Sequence, residues 1–211
     1  MYRSMVGVGI VCGLAIVTVF QVTRPVIERK RAEALQRAIF QVLPAARSST
    51  TFRFNGQERF EILEGEGAGE PLVYAGYDED QRLVGLVVEA EGMGYQDVIR
   101  LLYGYSFAED AIIGIRVLES RETPGLGDKI ETDREFLENF VRLDVGLTDE
   151  LSRIAHPIEP VKHGKKEQAW QIDGITGATI SSTAMANILS RSTSYWIPRI
   201  RRNLGDFRKV G

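Results

Sequence analysis

Residues 173–182 read DGITGATISS and hold five hydroxyl or carboxylate side chains and two glycines. Gly174 and Gly177 admit backbone conformations that other residues avoid, so the chain there can wrap closely on a ligand. A helical pattern begins near Thr179, and the N–H groups that open a helix lack partners and favour an anion. Asp173, Thr176, Thr179, Ser181 and Ser182 set hydrogen-bonding groups around that end, and Ala178 leaves room beside them. Two readings are open at this point. Thr179 or Ser181 caps the helix, or Thr179 is a bare hydroxyl placed for chemistry next to an anion. A nucleotide P-loop is excluded, because no lysine follows at the required spacing, and no G-x-G-x-x-G fingerprint is present.

A second stretch with chemical interest is ESRETPGLGDKI, residues 119–130. Pro124 fixes its own φ and biases Thr123 toward an extended conformation, while Gly125 and Gly127 free the backbone on either side of Leu126. The result is a shaped loop with one apolar tip and polar neighbours in Glu122 and Thr123. It suits a flat ring, packed on Leu126 and reached at its edge by backbone and side chains, but PGLG is equally an ordinary turn. No acid–base pair or metal-ligand set stands out elsewhere. His156 and His163 lack ligand-like companions and read as loop histidines beside Pro157 and Gly164. The only cysteine, Cys12, excludes an internal disulfide and a zinc or iron–sulfur site within the chain. A net charge of −3 argues against nucleic acid as a partner.

These loops need a scaffold, and the patterning predicts one of class α+β. Residues 5–22, MVGVGIVCGLAIVTVFQV, carry no charge and as a helix span about 27 Å, close to a bilayer's hydrocarbon thickness. They read as an uncleaved transmembrane anchor over 1–24. A cleavable signal peptide is the alternative, against which Arg3 is the only preceding cation and no A-x-A pattern follows. Residues 25–44 are expected to form an amphipathic linker helix with Leu35, Ile39, Val42 and Leu43 on one face, stopped by Pro44. Residues 45–211 then form one domain. Short strands are predicted at 51–54, 59–63, 72–77, 82–92, 112–120 and 169–172, and their order suggests antiparallel hairpins in an antiparallel or mixed sheet. Helices are predicted over 133–141, with Asp133 as N-cap, and over 180–204, interrupted by Pro198. Arg24, Arg29, Lys30, Arg31 and Arg37 follow the apolar stretch, so the charge rule alone points the domain toward the cytoplasm. Residues 44–70, with the run EGEGAGE, and the basic C-terminal tail are left without a role.

Taken together, D-x-x-[ST]-G-A-T-x-[ST] at 173–181, ETPGLG at 122–127 and the GMGYQDVIRLLYGYS block resemble the FMN-binding domain family. With its anchor, the chain is similar to the G subunits of Rnf-type ion-translocating electron-transport complexes, relatives of the C subunits of sodium-pumping NADH:quinone reductases. Its length fits the former better. The resemblance implies FMN held by a phosphoester bond to Thr179, installed by a separate flavin transferase that uses FAD and a divalent metal. It implies further contacts from Asp173, Thr176, Gly177, Ala178 and Ser181 at the attachment end. Glu122, Thr123, Leu126, Gly127 and Lys129 are implied at the isoalloxazine. It also implies a redox subunit, not a stand-alone enzyme, working with integral-membrane and iron–sulfur or flavin subunits. Its place would be the bacterial inner membrane, among lipid, with the soluble domain on the periplasmic side, against the charge rule. A tethered assembly module without redox activity, and a flavin reductase acting on soluble substrates, are the rival readings.

Overall fold

The computed structural model describes residues 2–63 and 72–208. The EGEGAGE run at 64–70 and Lys209 of the basic tail lie outside them. Helix α1, Tyr2–Val42, opens the chain and has Pro25 inside it. The anchor and linker stretches form one helix across Pro25. A proline removes a single ladder bond, here to the Gln21 carbonyl, and the turns on both sides keep theirs. Among the described residues α1 is the one helix long and apolar enough to cross a membrane, and its apolar stretch is exposed. Compact units divide between Arg37 and Ala38, so the last turn of α1 belongs to the larger one.

That larger unit is built on a seven-stranded sheet. Its strands are β1 (Ser48–Phe54), β2 (Phe60–Ile62), β3 (Leu72–Tyr77), β4 (Leu83–Met93), β5 (Val98–Ser106), β6 (Ala111–Glu119) and β7 (Leu143–Asp144). They lie in the order β2-β1-β3-β4-β5-β6-β7, every pair antiparallel. A second, two-stranded sheet pairs β8 (Glu159–Val161) with β9 (Gln171–Asp173) in parallel. The helices are α2 (Lys129–Thr132), α3 (Arg134–Glu138) and α4 (Thr179–Arg202), followed by a 3-10 turn at Leu204–Phe207. The α+β class and the antiparallel hairpins match the sequence reading. Asp133 caps α3 as expected, accepting from the Phe136 N–H at 3.0 Å. Helix α4 runs through Pro198 without the expected interruption. Pro198 is buried there, and its packing offsets one lost ladder bond.

The two faces of the sheet receive different partners. On one face Leu86, Val88, Leu101, Tyr103 and Tyr105 join a core with Met185, Ile188, Leu189 and Ile197 of α4. Tyr103 Oη and Ser192 Oγ, 3.0 Å apart, pin the helix to it, and burial raises the Tyr103 hydroxyl well above its ordinary value. On the opposite face Gly76, Gly85, Gly104 and Gly114 stand on four adjacent strands, with Gly76 paired to Gly85 and Gly104 to Gly114. Val42 and Leu43 fill the space where their side chains would be. A strip without Cβ atoms thus lets the end of α1 lie against the sheet backbone.

The far edge is closed by Phe52, Phe60 and Phe207, whose rings meet at 4.6–5.0 Å, and by a pair between Arg59 and Asp206. Asp206 also accepts from the Phe60 N–H at 3.0 Å. Burial pushes the Asp206 carboxyl up, but the Arg59 hydrogen bond, the Phe60 N–H and the Arg59 charge together outweigh it and hold it below its ordinary value of 3.8. A carboxyl depressed in the folded chain favours folding above its unfolded value, and that contribution is lost as pH falls through the folded one. Asp206→Asn should therefore be less stable than the parent at neutral pH, with the gap closing in acid. Urea titrations of both chains, taken down through the carboxylate range, check this. A gap that stays constant with pH would show that no charge-dependent stability resides in the pair.

Candidate functional site

Strand β9 ends at Asp173 and delivers the chain into a tight turn. The Ala178 N–H donates to the Ile175 carbonyl at 3.0 Å, and Gly177 adopts φ +84°, a left-handed value that favours glycine. Helix α4 starts at Thr179. Its N-cap is Ala178, which offers no side-chain bond, so neither Thr179 nor Ser181 caps the helix. The Ser181 hydroxyl donates to Glu122 Oε2 at 2.5 Å, and the Ser182 hydroxyl is engaged with the Thr179 carbonyl at 3.1 Å. The Thr179 side chain is exposed, with Oγ1 no closer than 3.5 Å to the Ile175 carbonyl. Among the described residues no acceptor is found for the N–H groups of Thr179, Ile180 and Ser181. The helix therefore opens on three free donors beside an exposed hydroxyl, an arrangement suited to a phosphate.

Facing that end is a cleft of about 330 Å³ in which the two predicted motifs meet. Thr123, Leu126 and Gly127 line one side, and Gly177, Ala178, Thr179 and Ser181 the other. Tyr95 and Ile180 complete it. Leu126, Ile180 and Tyr95 are each more than half exposed, so the walls offer apolar surface to a ring. Thr179 and Ile180 also border a longer groove along α4, lined by Met93, Thr183, Asn187 and Arg191. The residues present thus fit FMN: donors and a hydroxyl for the phosphoryl end, apolar walls for the isoalloxazine.

Four predicted residues stand elsewhere than in this cleft. Glu122 is buried behind its wall, 5% exposed. Lys129, Asp173 and Thr176 line a separate, smaller cleft with Asp133, Glu135 and His163. There the Asp173 carboxylate accepts from the N–H groups of Gly164 at 2.9 Å and Lys165 at 3.3 Å, so it shapes the 163–165 turn. His163 Nδ1 lies 3.7 Å from it, and His156 stacks on Trp170 at 4.0 Å. Among the described residues no group of three or more histidine, cysteine or acidic side chains is arranged for a metal.

Three contributors escape the sequence reading: Ile180 in the first turn of α4, Tyr95 and Asn139. Tyr95 belongs to the GMGY block, whose pattern could have marked it. Buried Asn139 carries no such signal. Its amide donates to the Phe136 and Asp173 carbonyls and accepts from the Asp173 N–H and from Lys166 Nζ, so it fixes the exit of β9. Burial lowers the Lys166 ammonium below its ordinary value, with the Asp173 charge opposing.

Fold and site together define an FMN-binding domain, and the FMN-binding domain family matches residues 94–194. The chain is 32% identical over 192 residues to the G subunit of the ion-translocating oxidoreductase complex of Methanosarcina acetivorans, covering 91% of this chain and 90% of that one. It is 32% identical over 177 residues to the protein of the same description in Escherichia coli K12, covering 83% and 79%. The chain belongs to the G-subunit family of ion-translocating oxidoreductase complexes. Among solved structures, Shewanella oneidensis NqrC shares the fold with a TM-score of 0.60 at 17% identity, over 85% of this chain and 96% of that one. The C subunit of the Na(+)-translocating NADH-quinone reductase from Parabacteroides distasonis does so with a TM-score of 0.54 at 19% identity, over 79% of each.

Proposed function

We propose that this chain is the flavin-carrying electron relay of an Rnf-type ion-translocating oxidoreductase complex, with FMN joined to Thr179 Oγ1 through a phosphoester bond. The observation that carries the reading is the exposed, non-capping hydroxyl of Thr179 beside three free N–H donors, at the mouth of the cleft where both motifs meet. Attachment is the work of a partner, a flavin transferase holding FAD and a divalent metal. Thr179 Oγ1 would take the FMN phosphoryl group from FAD, the bridging oxygen of the cleaved pyrophosphate leaving on AMP and the hydroxyl proton passing to a base or solvent. Bound FMN supplies reversible one- and two-electron transfer.

The chain's own residues do the rest. The N–H groups of Thr179, Ile180 and Ser181 balance the phosphodiester charge, and Gly177 gives the turn the conformation that presents the hydroxyl. Leu126, Ile180 and Tyr95 shield the ring plane from water, and Thr123 reaches its edge. Asp173 acts at a distance by holding the turn on which the attachment loop leans. Electrons come from and go to iron–sulfur or flavin subunits and integral-membrane subunits of the same complex, coupled to Na⁺ or H⁺ movement. Helix α1 anchors the chain in lipid, with residues 26–211 outside the cytoplasm. The family membership supports this sidedness over the charge rule, since partner subunits can dictate the orientation of a single span.

One experiment tests attachment and sidedness together. Intact spheroplasts of the native host are treated with protease, and their proteins are denatured and separated. The untreated sample should show a fluorescent flavin band at the mass of this chain, and protease should remove it. A non-fluorescent band would refute attachment. A fluorescent band cut only in inverted vesicles would place the domain in the cytoplasm.

A further inference from the structure

Three segments of the cofactor cleft converge on one buried carboxylate. Glu122 Oε1 accepts from the N–H groups of Tyr95 at 2.9 Å and Gln96 at 3.0 Å, and Oε2 accepts from the Ser181 hydroxyl at 2.5 Å. The 94–97 turn, the 122–127 loop and the first turn of α4 are otherwise distant in sequence. Thr123 Oγ1 adds a parallel strap to Gln96 Oε1 at 3.0 Å. Two glycines make room for the carboxylate. A Cβ on Gly94 would overlap Oε1, and a Cβ on Gly127 would lie 2.5 Å from Oε2 and 2.7 Å from Ser181 Oγ. Gly94, Gly127 and Ser181 come from three separate stretches, and all three abut this single group, Gly94 meeting Ile99 as well.

We infer that Glu122 is a positioning residue that clamps the flavin cleft in its binding shape and sets a negative charge one hydroxyl behind its wall. The inference rests on the flavin reading above and adds how the site is held and tuned. An acidic side chain at 5% exposure persists only where its lone pairs are filled, and here two amides and a hydroxyl fill them. The same three bonds fix the distance between Tyr95, Leu126 and the α4 N-terminus, so the cleft exists before the cofactor arrives. Because Ser181 lines the cleft and touches the carboxylate, the charge of Glu122 disfavours an anionic reduced flavin there. Glutamine at this position can keep the bonds: its carbonyl accepts from both amides, and its NH₂ donates to a reoriented Ser181 hydroxyl. It removes only the charge, whereas alanine removes both.

The test compares the full-length parent with Glu122→Gln and Glu122→Ala. In the flavin-free chain, made without the transferase, amide hydrogen exchange across 94–97 should be more than tenfold faster in Glu122→Ala than in the parent. Glu122→Gln should stay within a few-fold of the parent. After exposure to the transferase, Glu122→Ala should incorporate at least tenfold less flavin, while Glu122→Gln incorporates it normally with a midpoint potential shifted positive. Unchanged exchange at 94–97 in Glu122→Ala would overturn the clamp, whatever the flavin content. An unshifted potential in flavinylated Glu122→Gln would overturn the electrostatic role. Faster exchange in Glu122→Ala, beside a parent that takes up no flavin, would uphold the clamp and reject the flavin reading.

Discussion

Thr179→Ala is expected to lose covalent flavin completely while the domain stays folded. The substitution removes a hydroxyl that makes no cap and whose nearest acceptor is 3.5 Å away, and it removes no core volume. Exposed changes of this kind cost within about 0.5 kcal/mol, so the denaturation midpoint should hardly move. Attachment, in contrast, finds no equivalent free hydroxyl in the first turn of α4. The Ser181 hydroxyl is buried and committed to Glu122, and the Ser182 hydroxyl is buried and engaged within the turn. The effect is therefore all or none. In-gel fluorescence after denaturation measures it directly, with urea unfolding of the same preparation as control. A fluorescent Thr179→Ala band would move the attachment point elsewhere.

Gly104→Val is expected to produce the largest loss of stability of any single change considered. A Cβ at Gly104 would overlap the Val42 carbonyl oxygen and stand 3.1 Å from its carbon. Those are backbone atoms, which cannot swing aside as a side-chain tip does. The turn carrying them is fixed in turn by buried Ile39 and Leu43. Overpacking at such a site costs about 3 kcal/mol, a large share of a domain's net stability. Urea unfolding should show a midpoint far below the parent's, or no folded baseline. An unchanged midpoint would mean that the end of α1 does not rest on the glycine strip.

Some of this is legible in the sequence, and the rest is hidden for identifiable reasons. Strands β4 and β6 are visible by their β-branched residues, and β3 by its apolar run ending at the turn residues 78–81. Strand β5, VIRLLYGYS, reads only as part of a motif. It is buried on both faces, by α4 on one side and α1 on the other, so it shows no alternation. Strand β9 overlaps the strand expected at 169–172, but β8 and the parallel pairing of the two escape, because three residues give no period to read. Helix continuity through Pro25 and Pro198 escapes the sequence because a proline marks a lost bond without revealing what packing holds the helix together.

At the site, the motif residues themselves are readable, but their division of labour is not. Thr123, Leu126, Gly127 and the 177–181 segment do meet in one cleft. Glu122 reads as a polar loop neighbour and turns out to be the buried joint of that cleft. Lys129, just past one motif, and Asp173, at the head of the other, turn toward the adjacent cleft, because α2 begins at Lys129 and the Asp173 carboxylate is taken by the 163–165 turn. Spacing along the chain says which residues are close in sequence. Which side of a loop each one faces is decided by partners from elsewhere, here Tyr95, Gln96, Asn139 and Gly164.

The attachment of FMN to Thr179 is tested most directly by mass spectrometry of the full-length protein from its native host, first intact and then as peptides. The intact chain should be heavier than its sequence by one FMN less one water, and the increment should localise to the peptide holding 173–182, on Thr179. A chain at its bare sequence mass, or an increment on any other residue, would contradict the account.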